Sequence, residues 1–207
     1  RETTMPAENQ MFSSMLHAAR ERLIAQTSTE IARKSGASFA DGEFSLRSLG
    51  REVRISADDC RAHPALPEWH LLTLLHYLSN ADGAPLTGRP ISFSQYPGGM
   101  ARGENFSRNV ERIAREKLSK MDAAELERRC RALGAGIVPS NADFCTEFSF
   151  APRWPVWLKL WLADDEFSAS GSMLVDESAA HYLTIEDAVT VGSLILDALT
   201  GAAEWSQ

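Results

Sequence analysis

The chain has 207 residues, 44% of them hydrophobic and 24% charged. That length suits one domain, or at most two small ones, and that balance excludes global disorder. The formal net charge of −7 argues against nonspecific binding to nucleic acid or to an anionic membrane, since neither polyanion is attracted to the average surface.

No stretch of 18 apolar residues exists to span a bilayer. The three cysteines, Cys60, Cys130 and Cys145, are odd in number and widely spaced, with no CxxC pair. They are expected to be small buried hydrophobes in a reducing cytoplasm, with neither a disulfide framework nor a zinc ribbon or iron–sulfur cluster built within this chain. The first residue is Arg1 rather than Met, which leaves room for a leading segment upstream; residues 1–7 are expected to be a flexible terminus.

Residues 8–35 read as one helix, because Phe12, Met15, Leu16, Ala19, Leu23 and Ile31 recur at helical spacing before Ser35-Gly36 closes it. Phe44-Ser45-Leu46-Arg47 and Val53-Arg54-Ile55 alternate on either side of Gly50, the pattern of a β-hairpin with one buried face. Glu68 to Asn80 reads as a second helix with Leu71, Leu74, Leu75 and Leu78 as its apolar stripe.

The segment from Ala81 to Gly103 is rich in Gly, Pro and Asp and is expected to be a long functional loop. Asn105 to Leu133 reads as helical, broken near Met121-Asp122, with an arginine-rich solvated face. Phe144 to Phe150 alternates as a strand. Pro155 to Leu162 is apolar enough for a central strand, with Trp157 and Trp161 on one face and in the core, and Ser172 to Val175 suggests a further strand. Thr184 to Leu199 closes the chain as a helix opened by a Thr184/Asp187 capping box. Helices and strands fall in separate runs, so a single α+β domain is expected, an antiparallel sheet packed against several helices.

Three stretches resemble a known family. They are Leu74-Leu75-His76-Tyr77-Leu78 with Ala81-Asp82-Gly83 and Pro85-Leu86-Thr87-Gly88; Ile91-Ser92-Phe93 with Pro97-Gly98-Gly99; and Asp176 to Leu183 with Glu186-Asp187. Together they are similar to the prokaryotic family known as domain of unknown function 3786. The resemblance implies anaerobic metabolism and a neighbourhood of corrinoid and carbon-monoxide chemistry, where some members follow an iron–sulfur domain. It supplies no catalytic residues.

Two histidines stand beside turns. His76 lies on the second helix, at the edge of its apolar stripe, and reads either as a core-edge imidazole bonded to the backbone or as a metal ligand, axial ligand or general base. His181 and Tyr182 precede the last helix, where free N–H groups favour an anion, with Asp176 and Ser178 close by; a well-packed turn is the plainer reading. Tyr96-Pro97-Gly98-Gly99-Met100 reads as a type II turn whose second glycine permits close backbone approach, and Arg102 follows it. No Walker loop, nucleophile elbow, His-Glu-x-x-His or cobalamin-type Asp-x-His-x-x-Gly is present.

The expectation is therefore a ligand- or cofactor-binding accessory protein. Its site is drawn from His76, Asp82, Ser92, Pro97, Gly98, Gly99, Met100, Arg102, Asp176, Ser178, His181 and Tyr182. Its ligand is an anion, a divalent metal held by His76 and His181, or, from the family context, a corrinoid or other tetrapyrrole. Two alternatives stand open: an enzyme using His76 or His181 with Asp82 or Asp176 as acid–base pair, with or without a metal, and an interaction module presenting the 105–131 helices to a redox, corrinoid or methyl-transfer partner.

Overall fold

The computed structural model describes residues 7–203, so the expected flexible terminus lies outside the described residues except for Ala7, which opens the first helix. The segment read as one helix is two, α1 (Ala7–Ile24) and α2 (Ser28–Ser35). Thr27 leaves helical geometry at φ −76 and ψ 136. The neighbouring Gln26 amide donates to the carbonyls of Arg22 and, across the fold, Ser79, so the break is fastened to the helix Glu68–Asn80.

A four-stranded antiparallel sheet follows, β1 (Ser38–Ala40), β2 (Glu43–Ser48), β3 (Arg51–Ser56) and β4 (Ala62–His63), in that order. The expected hairpin is β2–β3. Its two-residue loop, Leu49-Gly50, has positive φ at both positions, the geometry that matches the twist of the paired strands. Phe44, Leu46, Val53 and Ile55 point into the core, as period two requires. The helix α3 (Glu68–Asn80) is buried around almost its whole circumference, from His70 to Ser79 apart from Leu71.

The chain then forms β5 (Pro90–Ser92), a 3-10 turn over Phe93–Gln95, and α4 (Arg102–Glu116). A 3-10 turn over Leu118–Lys120 separates α4 from α5 (Ala123–Ala132), whose N-cap Asp122 accepts from the amides of Ala124 and Glu125. Next come β6 (Gly136–Ile137), β7 (Phe144–Ala151), β8 (Trp154–Trp161), β9 (Ser170–Asp176), a 3-10 turn over Glu177–His181 and α6 (Ile185–Thr200).

The second sheet has the order β5-β9-β8-β7-β6 with every pair antiparallel. The apolar run is its central strand, as its composition requires. Its inner face is Trp154, Val156, Leu158 and Leu160. Trp157 and Trp161 do share a face, but it is the half-exposed outer one with Lys159, and the Trp157 indole donates to Glu147 Oε2 at 2.6 Å. Core packing of these two tryptophans is thus corrected by the strict alternation that puts Trp154 inside.

The fold class is α+β as expected, with two antiparallel sheets instead of one. The first sheet docks on the second through the hairpin tip, where the Leu49 amide donates to the Ser149 carbonyl at 2.8 Å. One apolar cluster runs through both sheets and the helices, so the elements fold around a common core.

Candidate functional site

The corner where α3 ends and α6 begins gathers most of the polar chemistry. Asp82 stands in the turn after α3; its Oδ1 accepts from the Ala84 amide at 2.8 Å. Its Oδ2 lies 2.6 Å from His181 Nδ1, across 99 residues of sequence. Burial pushes the Asp82 carboxyl up, but the hydrogen bonds from His181 and the Ala84 amide outweigh it and hold the group below the usual carboxylate range. An ionised carboxylate only accepts, so Nδ1–H donates to it, and Nε2 makes no hydrogen bond among the described residues. Both side chains are about half exposed.

Beside this pair lies a hollow of about 410 Å³. Tyr96 and Pro97 form one wall, Ala180 to Ile185 another, and Arg22 and Asn80 enter from α1 and the end of α3. The side chains of Arg22 and Asn80 make no hydrogen bond among the described residues. The turn that frames the hollow is firmly held. The Tyr96 hydroxyl donates to the Leu183 carbonyl at 2.7 Å, the Trp154 indole to the Ala179 carbonyl at 3.1 Å, and the Tyr182 hydroxyl to the Ala84 carbonyl. Tyr182 also stacks on Tyr77 with ring centroids 5.3 Å apart.

His76 is not part of that lining. Its Nδ1 lies 2.7 Å from Asp187 Oδ1, and only about a tenth of each side chain is exposed. Asp187 also completes the capping box, its Oδ2 accepting from the Thr184 hydroxyl at 3.0 Å. Burial pushes the Asp187 carboxyl up, yet His76 and Thr184 together bring it below the usual range. The orienting acid of His76 is therefore Asp187, which the sequence had marked only as a cap.

The other expected residues divide by role. Pro97, His181 and Tyr182 line the hollow, and Asp82 stands behind it on His181. Asp176 does not orient a histidine; it is 1% exposed and accepts from the amides of Thr87, Gly88 and Ser178 and from the hydroxyls of Thr87 and Ser178. Ser178 serves that clamp. Ser92 caps the 3-10 turn with Gln95.

Gly98, at φ 76, takes the left-handed place of a Pro97-Gly98 type II turn closed by the Gly99 amide on the Tyr96 carbonyl at 2.7 Å. A methyl group on Gly99 would lie 2.2 Å from the Phe93 carbonyl oxygen, so the close approach foreseen there is to the chain's own backbone. Met100 is 83% exposed. Arg102 pairs with Glu186 at 2.9 Å. Five other arginines of α4 and α5, Arg108, Arg112, Arg128, Arg129 and Arg131, pair with glutamates three or four residues away, which fits the solvated face.

His76 and His181 stand in two separate carboxylate pairs, and among the described residues no group of three or more His, Cys, Asp or Glu is placed to share one metal ion. Sequence reasoning missed Arg22, whose helix was read only for its apolar side, and His70, whose Nε2 meets Ser48 Oγ at 2.8 Å in the core. No spacing signal marks either residue, because the groups around them come from other elements.

No curated protein and no solved structure matches the chain. The pattern of one family does, over residues 28–198, from the start of α2 to the last turns of α6. That span takes in all three of the stretches that carry the resemblance, and the chain belongs to the family described as Domain of unknown function (DUF3786).

Proposed function

We propose that this protein is an accessory that binds a small anionic molecule in the hollow between the end of α3 and the turn before α6. The observation that carries the reading is the His181–Asp82 pair at 2.6 Å beside two polar side chains, Arg22 and Asn80, that no other described group engages. Asp82 fixes the imidazole, whose Nε2–H in the imidazolium form donates toward an anion, Arg22 brings a permanent positive charge, and the Asn80 amide adds donors within the same lining. Hydrogen bonds in which one partner is charged are the stronger kind, and a hollow with few convergent polar groups is a common binding geometry. The three cysteines, all buried free thiols, support a reducing cytoplasm as the setting.

Calorimetric titration with inorganic phosphate, sulfate and succinate tests this. Saturable binding of at least one of them is expected, weakened tenfold or more in both Arg22→Ala and His181→Asn. Absence of binding to all three, or equal binding by both variants, overturns it.

A second reading has its own observation. An imidazole whose Nδ1–H is held by a carboxylate, with Nε2 uncommitted, is arranged as metal-ligating histidines are. His181 would then hold the metal of a corrinoid or other tetrapyrrole through Nε2. An absorbance spectrum and metal content of the protein isolated anaerobically decide this: a tetrapyrrole band lost in His181→Ala supports it, and a bandless, metal-free protein rejects it.

A further inference from the structure

A second depression, of about 520 Å³, runs between α1, α3 and α6 and shares no lining residue with the His181 hollow. Its apolar surface is Met11 and Met15 from α1, Trp69 and Leu72 from α3, and Val189 and Leu194 from α6. Met11 is 57% and Trp69 42% exposed, so this apolar lining is open to solvent from two helices at once.

The spacing of these walls is that of helix faces: Met11 and Met15 at i, i+4; Trp69, Leu72 and Thr73 at i, i+3, i+4; and Glu186, Val189, Thr190, Ser193 and Asp197 running along α6 at i, i+3, i+4, i+7, i+11. From Glu186 to Asp197 the trench is roughly 16 Å long at 1.5 Å per residue. Such a slot accepts the ridge of another helix.

Its charges say which kind. Glu186 and Asp187 stand at one end and Asp197 at the other, against Arg102, which is already paired with Glu186. Asp187 is held ionised, and Asp197 is exposed with no ion pair among the described residues. Methionine lining suits a surface that moulds to a helical partner.

We propose that this trench docks an amphipathic helix of a partner protein, about three turns long. An apolar face would sit against Met11, Trp69 and Leu194, and lysine or arginine near both ends would meet Asp187 and Asp197. Charge complementarity selects this occupant over an acidic helix and over a second copy of this net-negative chain.

Fluorescence polarisation tests it with a set of fluorescein-labelled 14-residue peptides. Each carries a Leu, Ile or Phe face, and each is made in a Lys-ended and a Glu-ended form. Lys-ended members are expected to bind at least tenfold more tightly than their Glu-ended counterparts. The Met11→Glu and Asp197→Lys proteins, both changed at exposed positions, are expected to lose that binding tenfold or more while keeping the wild-type circular dichroism melt. Absence of binding across the Lys-ended set, equal binding of both sets, or undiminished binding by both variants overturns the proposal. So does a concentration-dependent dimer in sedimentation that Met11→Glu dissolves, since that assigns the trench to a second copy.

Discussion

His76 Nδ1 lies 2.7 Å from Asp187 Oδ1, joining the middle of α3 to the first turn of α6 across 111 residues of sequence. The same carboxylate accepts from Thr184, so one side chain both caps a helix and fixes a buried imidazole. Removing it leaves the Thr184 amide without its capping-box acceptor, at about 1 kcal/mol, and the His76 donor unpaired in a nearly dry place, at roughly 1–3 kcal/mol. Asp187→Ala is therefore expected to lose about 2–4 kcal/mol in urea unfolding at pH 7. The Asp187 carboxyl is held below its unfolded value, so its stabilisation is present above about pH 4 and is lost as pH falls through the folded value. The gap between wild type and variant should accordingly narrow at pH 3. A gap of unchanged size there would refute the assignment.

The His181–Asp82 pair has nearly the same geometry but different consequences. Both side chains are half exposed, so water replaces either partner at little cost. Asp82→Asn is expected to change stability by less than about 1 kcal/mol while releasing the imidazole from its fixed orientation. If the hollow binds an anion through that ring, phosphate or succinate affinity should fall about tenfold with the melting temperature almost unmoved. A variant that melts early and binds normally would make the pair a mere strut between two turns.

The contrast shows what one sequence can disclose. The helices and strands were legible because apolar spacing is a local property. Val156, Leu158 and Leu160 mark their strand face, Leu74, Leu75 and Leu78 mark α3, and Thr184 with Asp187 spells a cap three residues apart. The break between α1 and α2 was legible too, in Thr27 followed three residues later by Glu30, the spacing of a helix start, but the apolar period running across it hid the signal.

The site was only half legible. His181 and Tyr182 stand at the turn before α6, and Asp82 lies 2.6 Å from the His181 ring, contacts that residue types beside turns could suggest but not fix. Asp176, Ser92 and Gly99 were drawn to the same site by their residue types, yet their partners are the chain's own backbone and neighbouring side chains. Polar residues near a turn serve the turn as readily as a ligand, and nothing local distinguishes the two until the distant segment is in place.

Asp176 illustrates that second duty. Its two oxygens take hydrogen bonds from Thr87, Gly88 and Ser178, tying the segment before β5 to the end of β9. Burial pushes this carboxyl up, and the Ser178, Thr87 and Gly88 donors overcome it and hold it low. Asp176→Asn keeps the shape but turns one acceptor into a donor facing donors, so a loss of roughly 2–4 kcal/mol is expected. The amides of Thr87 and Gly88 should exchange with deuterium faster by a larger factor than those of β8. Uniform acceleration across the protein would show instead that Asp176 supports the whole fold without a local clamp.

His70 gives the sharpest dependence on pH. It is fully buried, its Nε2 meets Ser48 Oγ at 2.8 Å, and its ring lies 5.6 Å from that of Phe150. Burial, with the positive charge of Arg51 adding to it, pushes the imidazole down from its ordinary 6.5 to about 4. The unfolded chain thus takes up a proton near pH 6.5 that the folded chain refuses until about pH 4. Stability is complete above the unfolded value and drains away as pH falls toward the folded one. The difference is worth about 3 kcal/mol in full, of which about 2 kcal/mol falls between pH 7 and pH 5. His70→Gln keeps a hydrogen-bonding group for Ser48 and cannot titrate, so its urea midpoint should decline far less over that interval than the wild type's, even if it starts lower. Two curves of equal slope from pH 7 to pH 5 would mean that the folded protein accepts the His70 proton freely, and that the packing of α3 against β7 yields to admit it.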